Sequence, residues 1–210
     1  MYINVFILFI SFPKLSLFFS LSRYLSLKMK TTICIISFLI ALASACKTSL
    51  LVDDYTNTGT TGTNAVGAYS SDDGSCSNLT SASQVLSILP GSSKCYYYTN
   101  FPEHKPEDAV GGNRSNLEFS LTAPSSNWSF KINIKSWNGV RLADSYTTVF
   151  GSAAGLQLVS IPLTSFNGPD VPNLRNIRSF VFESFSDDAG TWKLGKLVLL
   201  CATASSATTS

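Results

Sequence analysis

The sequence predicts an all-β sandwich. Three observations carry that expectation. Downstream of Cys46, short runs of β-branched and aromatic residues are bounded by Gly, Pro, Asn, Asp and Ser, the punctuation of strands and turns. Several runs alternate apolar and polar residues with a period of two, as a half-buried strand requires. Almost nothing reads as helix, and many strands in one domain-sized chain bury their apolar faces by packing sheet on sheet.

The chain upstream of Cys46 is of a different kind. Met29 to Cys46 has a short basic start (Met29, Lys30), an apolar run from Ile33 to Leu42 and the small residues Ala43-Ser44-Ala45. This is the grammar of a cleavable secretory signal over 29–45, too short for a spanning helix of about 20 apolar residues. Met29 starts a complete signal by itself, so residues 1–28 read as an upstream extension. The mature chain is expected to begin at Cys46, outside the cytoplasm, with one domain over 46–201 and a small polar, disordered tail over 202–210.

Charge and cysteine usage follow that division. Four of the fifteen Lys and Arg lie in the leader and all thirteen Asp and Glu lie beyond it, so the mature chain carries a formal net charge of −2. With no basic block, a nucleic-acid partner is not expected. No apolar stretch follows the tail, so no stable membrane anchor is expected. Cys34 falls in the signal, leaving Cys46, Cys76, Cys95 and Cys201. Three pairings are open to four cysteines; Cys76–Cys95 with Cys46–Cys201 is favoured, the second tying the chain ends. Zinc is not expected, because no two cysteines stand at C-x₂₋₄-C spacing and His104 is the only histidine. The sequons at Asn78, Asn113 and Asn127 suggest a glycoprotein if the host is eukaryotic.

Strands are expected near 50–53, 94–99, 117–122, 128–137, 146–150, 157–163, 176–185 and 192–200. Residues 54–93, rich in Ser, Thr, Gly and Asn, read as mostly loop with a short strand or two. In Leu117–Leu121 the odd positions are apolar and the even ones polar. Over 128–137, Trp128, Phe130, Ile132 and Ile134 share one face, and Ser129, Lys131, Asn133, Lys135 and Trp137 the other. The apolar set is expected in the core and holds the register, at roughly 1.5–3 kcal/mol for each buried side chain.

Trp137 is the outlier, a large indole sharing a face with two lysines and an asparagine. A flat aromatic beside hydrogen-bonding groups suits a sugar ring, whose CH groups stack on the π face while its hydroxyls find polar partners. Candidate ligand-binding residues are therefore Trp137, Lys135, Asn133 and Arg141, the last just past the Asn138-Gly139 turn signal. Tyr97 joins them, since alternation in Tyr96-Tyr97-Tyr98 sets it on the opposite face from its neighbours. The competing reading makes Trp137 a lid on the core edge and the tyrosines ordinary strand residues. Trp192, alternating with Leu194, reads as core.

Catalysis has little footing. A nucleophile–His arrangement would hang on His104, in the loop Phe101–Glu107. No catalytic residue is assigned and the chain is read as not an enzyme. No cofactor is expected beyond a structural calcium ion, for which Asp53, Asp54, Asp187 and Asp188 are the oxygen-rich candidates.

The order of the segments resembles a known family. Leu50-Leu51-Val52-Asp53-Asp54-Tyr55 resembles the opening of galactose-binding-like jelly rolls, among them the CIA30-like domains and family 11 carbohydrate-binding modules. Val159–Phe166 (VSIPLTSF), Asn176–Glu183 (NIRSFVFE) and Thr191–Leu199 (TWKLGKLVL) are similar to their later strands. The set also looks like small secreted fungal proteins built on this fold. The resemblance implies a jelly-roll β-sandwich of two antiparallel sheets, often carbohydrate-binding and non-catalytic. Gly195 and Lys196 stand where the family usually has acidic residues, so any family contact made there is in doubt. The combined expectation is a secreted, non-catalytic protein that binds cell-wall polysaccharide. Alternatives are a structural or host-interaction surface protein or effector without a sugar site and, third, a small glycan-active enzyme.

Overall fold

The structure, a computed structural model, describes residues 48–57 and 62–201. The upstream extension, the signal segment, Cys46 and the tail lie outside the described residues. Twelve strands follow in order: β1 (Leu50–Asp53), β2 (Ser70–Ser71), β3 (Asn78–Ala82), β4 (Val85–Leu89), β5 (Tyr96–Asn100) and β6 (Arg114–Ala123). Then come β7 (Trp128–Trp137), β8 (Leu142–Gly151), β9 (Gly155–Pro162), β10 (Ile177–Glu183), β11 (Trp192–Leu194) and β12 (Leu197–Cys201). A 3-10 turn, Leu163–Ser165, follows β9.

The strands form two antiparallel sheets. The seven-stranded sheet runs β1-β12-β6-β11-β4-β3, with β9 paired to the other side of β6. The five-stranded sheet runs β2-β5-β10-β7-β8. Strand β7 spans the expected residues and alternates as expected: Phe130, Ile132 and Ile134 are buried, while Lys131, Lys135 and Trp137 reach solvent.

One strand expectation needed correction, and the mostly-loop segment 54–93 holds three short strands rather than one or two. Residues 54–93 hold a hairpin, β3–β4, turned by Ser83 and Gln84, both at positive φ. A two-residue hairpin turn of this hand usually takes Asn-Gly or Asp-Gly, and that composition cue is missing here. The single strand expected over 192–200 is two strands, β11 and β12, broken at Gly195. A Cβ at Gly195 would lie 2.0 Å from Ser120 Oγ, and the Gly195 amide donates to the Ser120 carbonyl at 2.8 Å. A side chain at this position would have to displace the Ser120 hydroxyl.

The core between the sheets is aromatic. Phe119 meets Phe182 edge-on at 5.6 Å between centroids, and Trp192 lies 5.7 Å from Phe130 and 5.3 Å from Phe185. Trp192 is fully buried, as expected. Cys76 and Cys95 are disulfide-bonded, the expected pair. Cys201 is disulfide-bonded as well.

A buried polar cluster centred on Asp53 interrupts this core. The register of β1 on β12 slips between Leu51 and Asp53, so Val52 and Asp53, adjacent in sequence, are both fully buried. A bulge changes the facing of the residues beyond it. Asp53 Oδ2 accepts hydrogen bonds from Tyr97 OH (2.8 Å), Ser70 Oγ (3.1 Å) and Thr99 Oγ1 (3.2 Å), and Oδ1 accepts from the Tyr55 amide (2.9 Å). Asp53 belongs to the seven-stranded sheet, whereas Ser70, Tyr97 and Thr99 belong to the five-stranded one. The carboxylate is thus a tie between sheets.

Removing it should leave the buried hydroxyls of Tyr97 and Thr99 short of an acceptor, each costing about 1–3 kcal/mol if unsatisfied, while Ser70 Oγ keeps Thr99 Oγ1 at 2.9 Å. Asp53→Ala is expected to destabilise the fold by on the order of 3 kcal/mol, read as a lower urea midpoint at unchanged slope. An unaltered midpoint would mean that the tie contributes nothing.

Candidate functional site

Strand register places a continuous surface on the outward face of the five-stranded sheet. Residues directly opposite one another across paired strands share a face, so the surface reads in rows. One row runs Tyr96, Glu183, Lys131, Thr148 and the next Ser71, Tyr98, Val181, Asn133, Tyr146. A third runs Asn100, Ser179, Lys135, Asp144, and Trp137 faces Leu142 beyond it.

The aromatic rings of this face are arranged together. Tyr96 and Tyr98 stack at 6.3 Å between centroids, and Tyr69, 40% exposed, leans on Tyr98 at 6.0 Å. Both phenols donate to one carboxylate, Tyr98 OH to Asp73 Oδ1 at 2.8 Å and Tyr96 OH to Asp73 Oδ2 at 3.2 Å. Desolvation raises the phenol pKa of both, and the neighbouring Asp73 raises it further. The turn carrying Asp73 is held to β5 by the Cys76–Cys95 disulfide and by Ser75, whose hydroxyl accepts from the Tyr96 amide at 3.0 Å.

The polar groups of the face are largely committed to one another. Lys135 pairs with Asp144, Asn133 donates to Glu183 at 2.8 Å, and the Lys131 ammonium sits 5.0 Å from the Tyr146 ring centroid. Such pairs fix side-chain directions and leave remaining lone pairs and N–H groups for a ligand's hydroxyls. Gly168 passes close to Tyr146: a Cβ there would lie 2.9 Å from ring carbons.

Of the sequence candidates, Trp137, Lys135 and Asn133 stand on this face, and Trp137 is 39% exposed. Arg141 lies past the strand end and pairs with Asp170, which also accepts from the Asp144 amide at 3.0 Å. Its guanidinium braces the 167–173 segment along the β8 edge. Tyr97 is corrected outright: it is fully buried and its hydroxyl is spent on Asp53, so the rings of that triplet on the outward face are Tyr96 and Tyr98, both half-buried. The cue was present, because Cys95, Tyr97 and Thr99 alternate together and all three are buried. Tyr146 was missed although the expected strand 146–150 contained it, because only the pairing of β8 with β7 sets it opposite Asn133.

The oxygen-rich candidates do not converge. Asp53 is the buried tie. Asp54 accepts from the Thr56 amide, and the hydroxyl and amide of Thr56 hold its carboxyl below the usual range. Asp187 accepts from the Ala189 and Gly190 amides, and the Asp188 carbonyl accepts from the Gly91 amide. Among the described residues, no three His, Cys, Asp or Glu side chains gather as a metal site. Asn78, Asn113 and Asn127 are all exposed.

No family model and no curated protein sequence matches the chain. Solved structures do. A family 30 carbohydrate-binding module superposes with TM-score 0.51 and 15% identity, covering 77% of this chain and 93% of that one. The family 11 carbohydrate-binding module from Clostridium thermocellum, in complex with β-1,3-1,4-mixed-linked tetrasaccharide, superposes with TM-score 0.50 and 17% identity, covering 75% and 98%. The fold is that of the carbohydrate-binding-module jelly rolls. The chain also covers 21% of PfGH50B, with TM-score 0.47 and 18% identity. The jelly-roll expectation is met by the two-sheet architecture and the two superpositions given first.

Burial of Tyr55 and Tyr97 gives this jelly roll an alkaline limit. Desolvation pushes both phenols well above the ordinary tyrosine value, reinforced for each by the nearby Asp53 charge. A folded-state pKa above the unfolded one gives stability that is complete below about pH 10 and lost as pH rises through the folded value. The urea midpoint should hold through mildly alkaline pH and fall above about pH 10, together with the rise of phenolate absorbance. All tyrosines ionising near the ordinary value in a still-folded protein would contradict this.

Proposed function

We propose that this protein binds a polysaccharide chain, without cleaving it, on the outward face of its five-stranded sheet. The observation that carries the reading is the co-location of Tyr69, Tyr96, Tyr98, Tyr146 and Trp137 on one sheet face, interleaved with Lys131, Asn133, Lys135 and Glu183. Rigid rings offer stacking surfaces at little entropic cost, and the polar groups between them offer donors and acceptors at spacings a sheet fixes. Structural neighbours named as carbohydrate-binding modules support the same reading.

Binding without hydrolysis fits the carboxylates of the face. Asp73 is occupied by two phenols, Asp144 by Lys135 and Glu183 by Asn133, so they are engaged as scaffold rather than as an acid–base pair across a cleft. Secretion is part of the proposal. It rests on the leader grammar, on the disulfide, which suits an oxidising compartment, and on the exposed sequon asparagines. No helix among the described residues is long and apolar enough to cross a membrane. The partner is a wall glycan, with no cofactor assigned.

Affinity for insoluble β-glucan and chitin, measured by depletion and by affinity electrophoresis, provides the check. Tyr98→Ala and Trp137→Ala should each weaken binding by roughly fivefold to thirtyfold, equivalent to losing about 1–2 kcal/mol of stacking. Reducing-sugar release should stay at background. Wild-type protein that binds no polysaccharide, or both variants binding unchanged, would overturn the assignment.

A further inference from the structure

The described chain has four arginines, and three of them face carboxylates: Arg114 faces Glu107, Arg141 faces Asp170 and Arg175 faces Asp108. Arg178 differs. Its Nη1 donates to the backbone carbonyl of Glu103 at 2.5 Å, and among the described residues it pairs with no carboxylate. A guanidinium carries five N–H donors in a rigid fork, so one bond to a carbonyl leaves most of its capacity unspent.

Its position is a product of strand geometry. The pairing of β10 with β7 sets Ile177 opposite Ser136 and Ser179 opposite Lys135, so Arg178 is an extra residue in a bulge. Its carbonyl accepts from the Phe101 amide at 2.7 Å, fixing the bulged backbone on the β5 side. Bulges re-aim a side chain that a regular strand would hold elsewhere. Here Arg178 lines a depression of about 470 Å³ at the end of the sheet, together with Tyr69, Asn100, Phe101, Glu103 and His104. Tyr69 belongs both to this depression and, through its contact with Tyr98, to the aromatic surface. The depression therefore continues that surface past the row containing Asn100.

We infer that this depression is an acidic-sugar subsite: Arg178 receives the carboxylate of a uronic acid residue while Tyr69 provides the wall for its ring. This rests on the glycan-binding reading above and adds to it a ligand class. The sheet face offers an anion little, because Lys135 is paired with Asp144 and Lys131 is engaged over Tyr146. A planar carboxylate matches a guanidinium fork through two parallel hydrogen bonds. The rim is mixed, since Glu103 and His104 are both exposed. Selectivity is therefore expected to come from the Arg178 fork rather than from a general positive field.

The test compares a β-linked glucose tetrasaccharide with its counterpart ending in glucuronate, by titration calorimetry at two salt concentrations. The acid-ended ligand should bind about tenfold more tightly to the wild type, with the advantage shrinking at high salt. Arg178→Gln should abolish the advantage and leave the neutral ligand's affinity unchanged, which also shows that the variant is folded. Tyr98→Ala should weaken both ligands. Equal affinities in the wild type, or an advantage that survives Arg178→Gln, would overturn the subsite and leave polysaccharide binding standing. Absence of binding by both tetrasaccharides would overturn both.

Discussion

The fold and the candidate surface both depend on one buried carboxylate. Asp53 enters the core because a bulge in β1 turns it inward, and it collects the hydroxyls of Ser70, Tyr97 and Thr99 from the opposite sheet. A buried charge costs free energy unless its lone pairs are satisfied, so this cluster works as a unit or not at all. Its consequence reaches the surface by parity. With Tyr97 drawn inward, Tyr96 and Tyr98 must point outward. The interior tie and the exterior ring pair are two sides of one strand.

A second layer of constraint sets where those rings stand. The Cys76–Cys95 disulfide and Ser75 hold the turn bearing Asp73 against β5, and Asp73 takes both phenols. On the far side of the sheet, Asp170 holds Arg141 and the Asp144 amide, fixing the segment that passes Tyr146. The polar groups of the face are spent mainly on orienting one another, which is how a binding surface on strands achieves a defined shape before any ligand arrives. Arg178 stands outside this economy of paired charges, and that difference marks the depression beside Tyr69.

Much of the architecture was legible from periodicity. Strand β7 alternates so regularly that both its span and the outward placement of Lys135 and Trp137 could be read from residue types alone. Trp192 announced itself as core by alternating with Leu194. Legibility failed where a local device overrode the pattern. The β3–β4 hairpin turns on Ser83 and Gln84 at positive φ, residues with no turn signature of their own. Gly195 splits what reads as one strand, because the backbone there lies against Ser120. Asp53 read as a cation-binding candidate, and only the bulge after Leu51 makes it a core residue. The site was half legible for the same reason: register across strands, which brings Tyr146 to Asn133 and Tyr98 to Val181, is a property of pairing and not of any one segment.

The most direct measurement is chemical-shift mapping of the isotope-labelled protein during titration with a neutral β-glucan oligosaccharide. Perturbations should gather on Tyr96, Tyr98, Asn133, Tyr146 and the Trp137 indole while Tyr97 and Asp53 stay still. Perturbations gathered instead on the outward face of the seven-stranded sheet, or on end loops away from these rings, would contradict the assignment of this face as the sugar-binding surface.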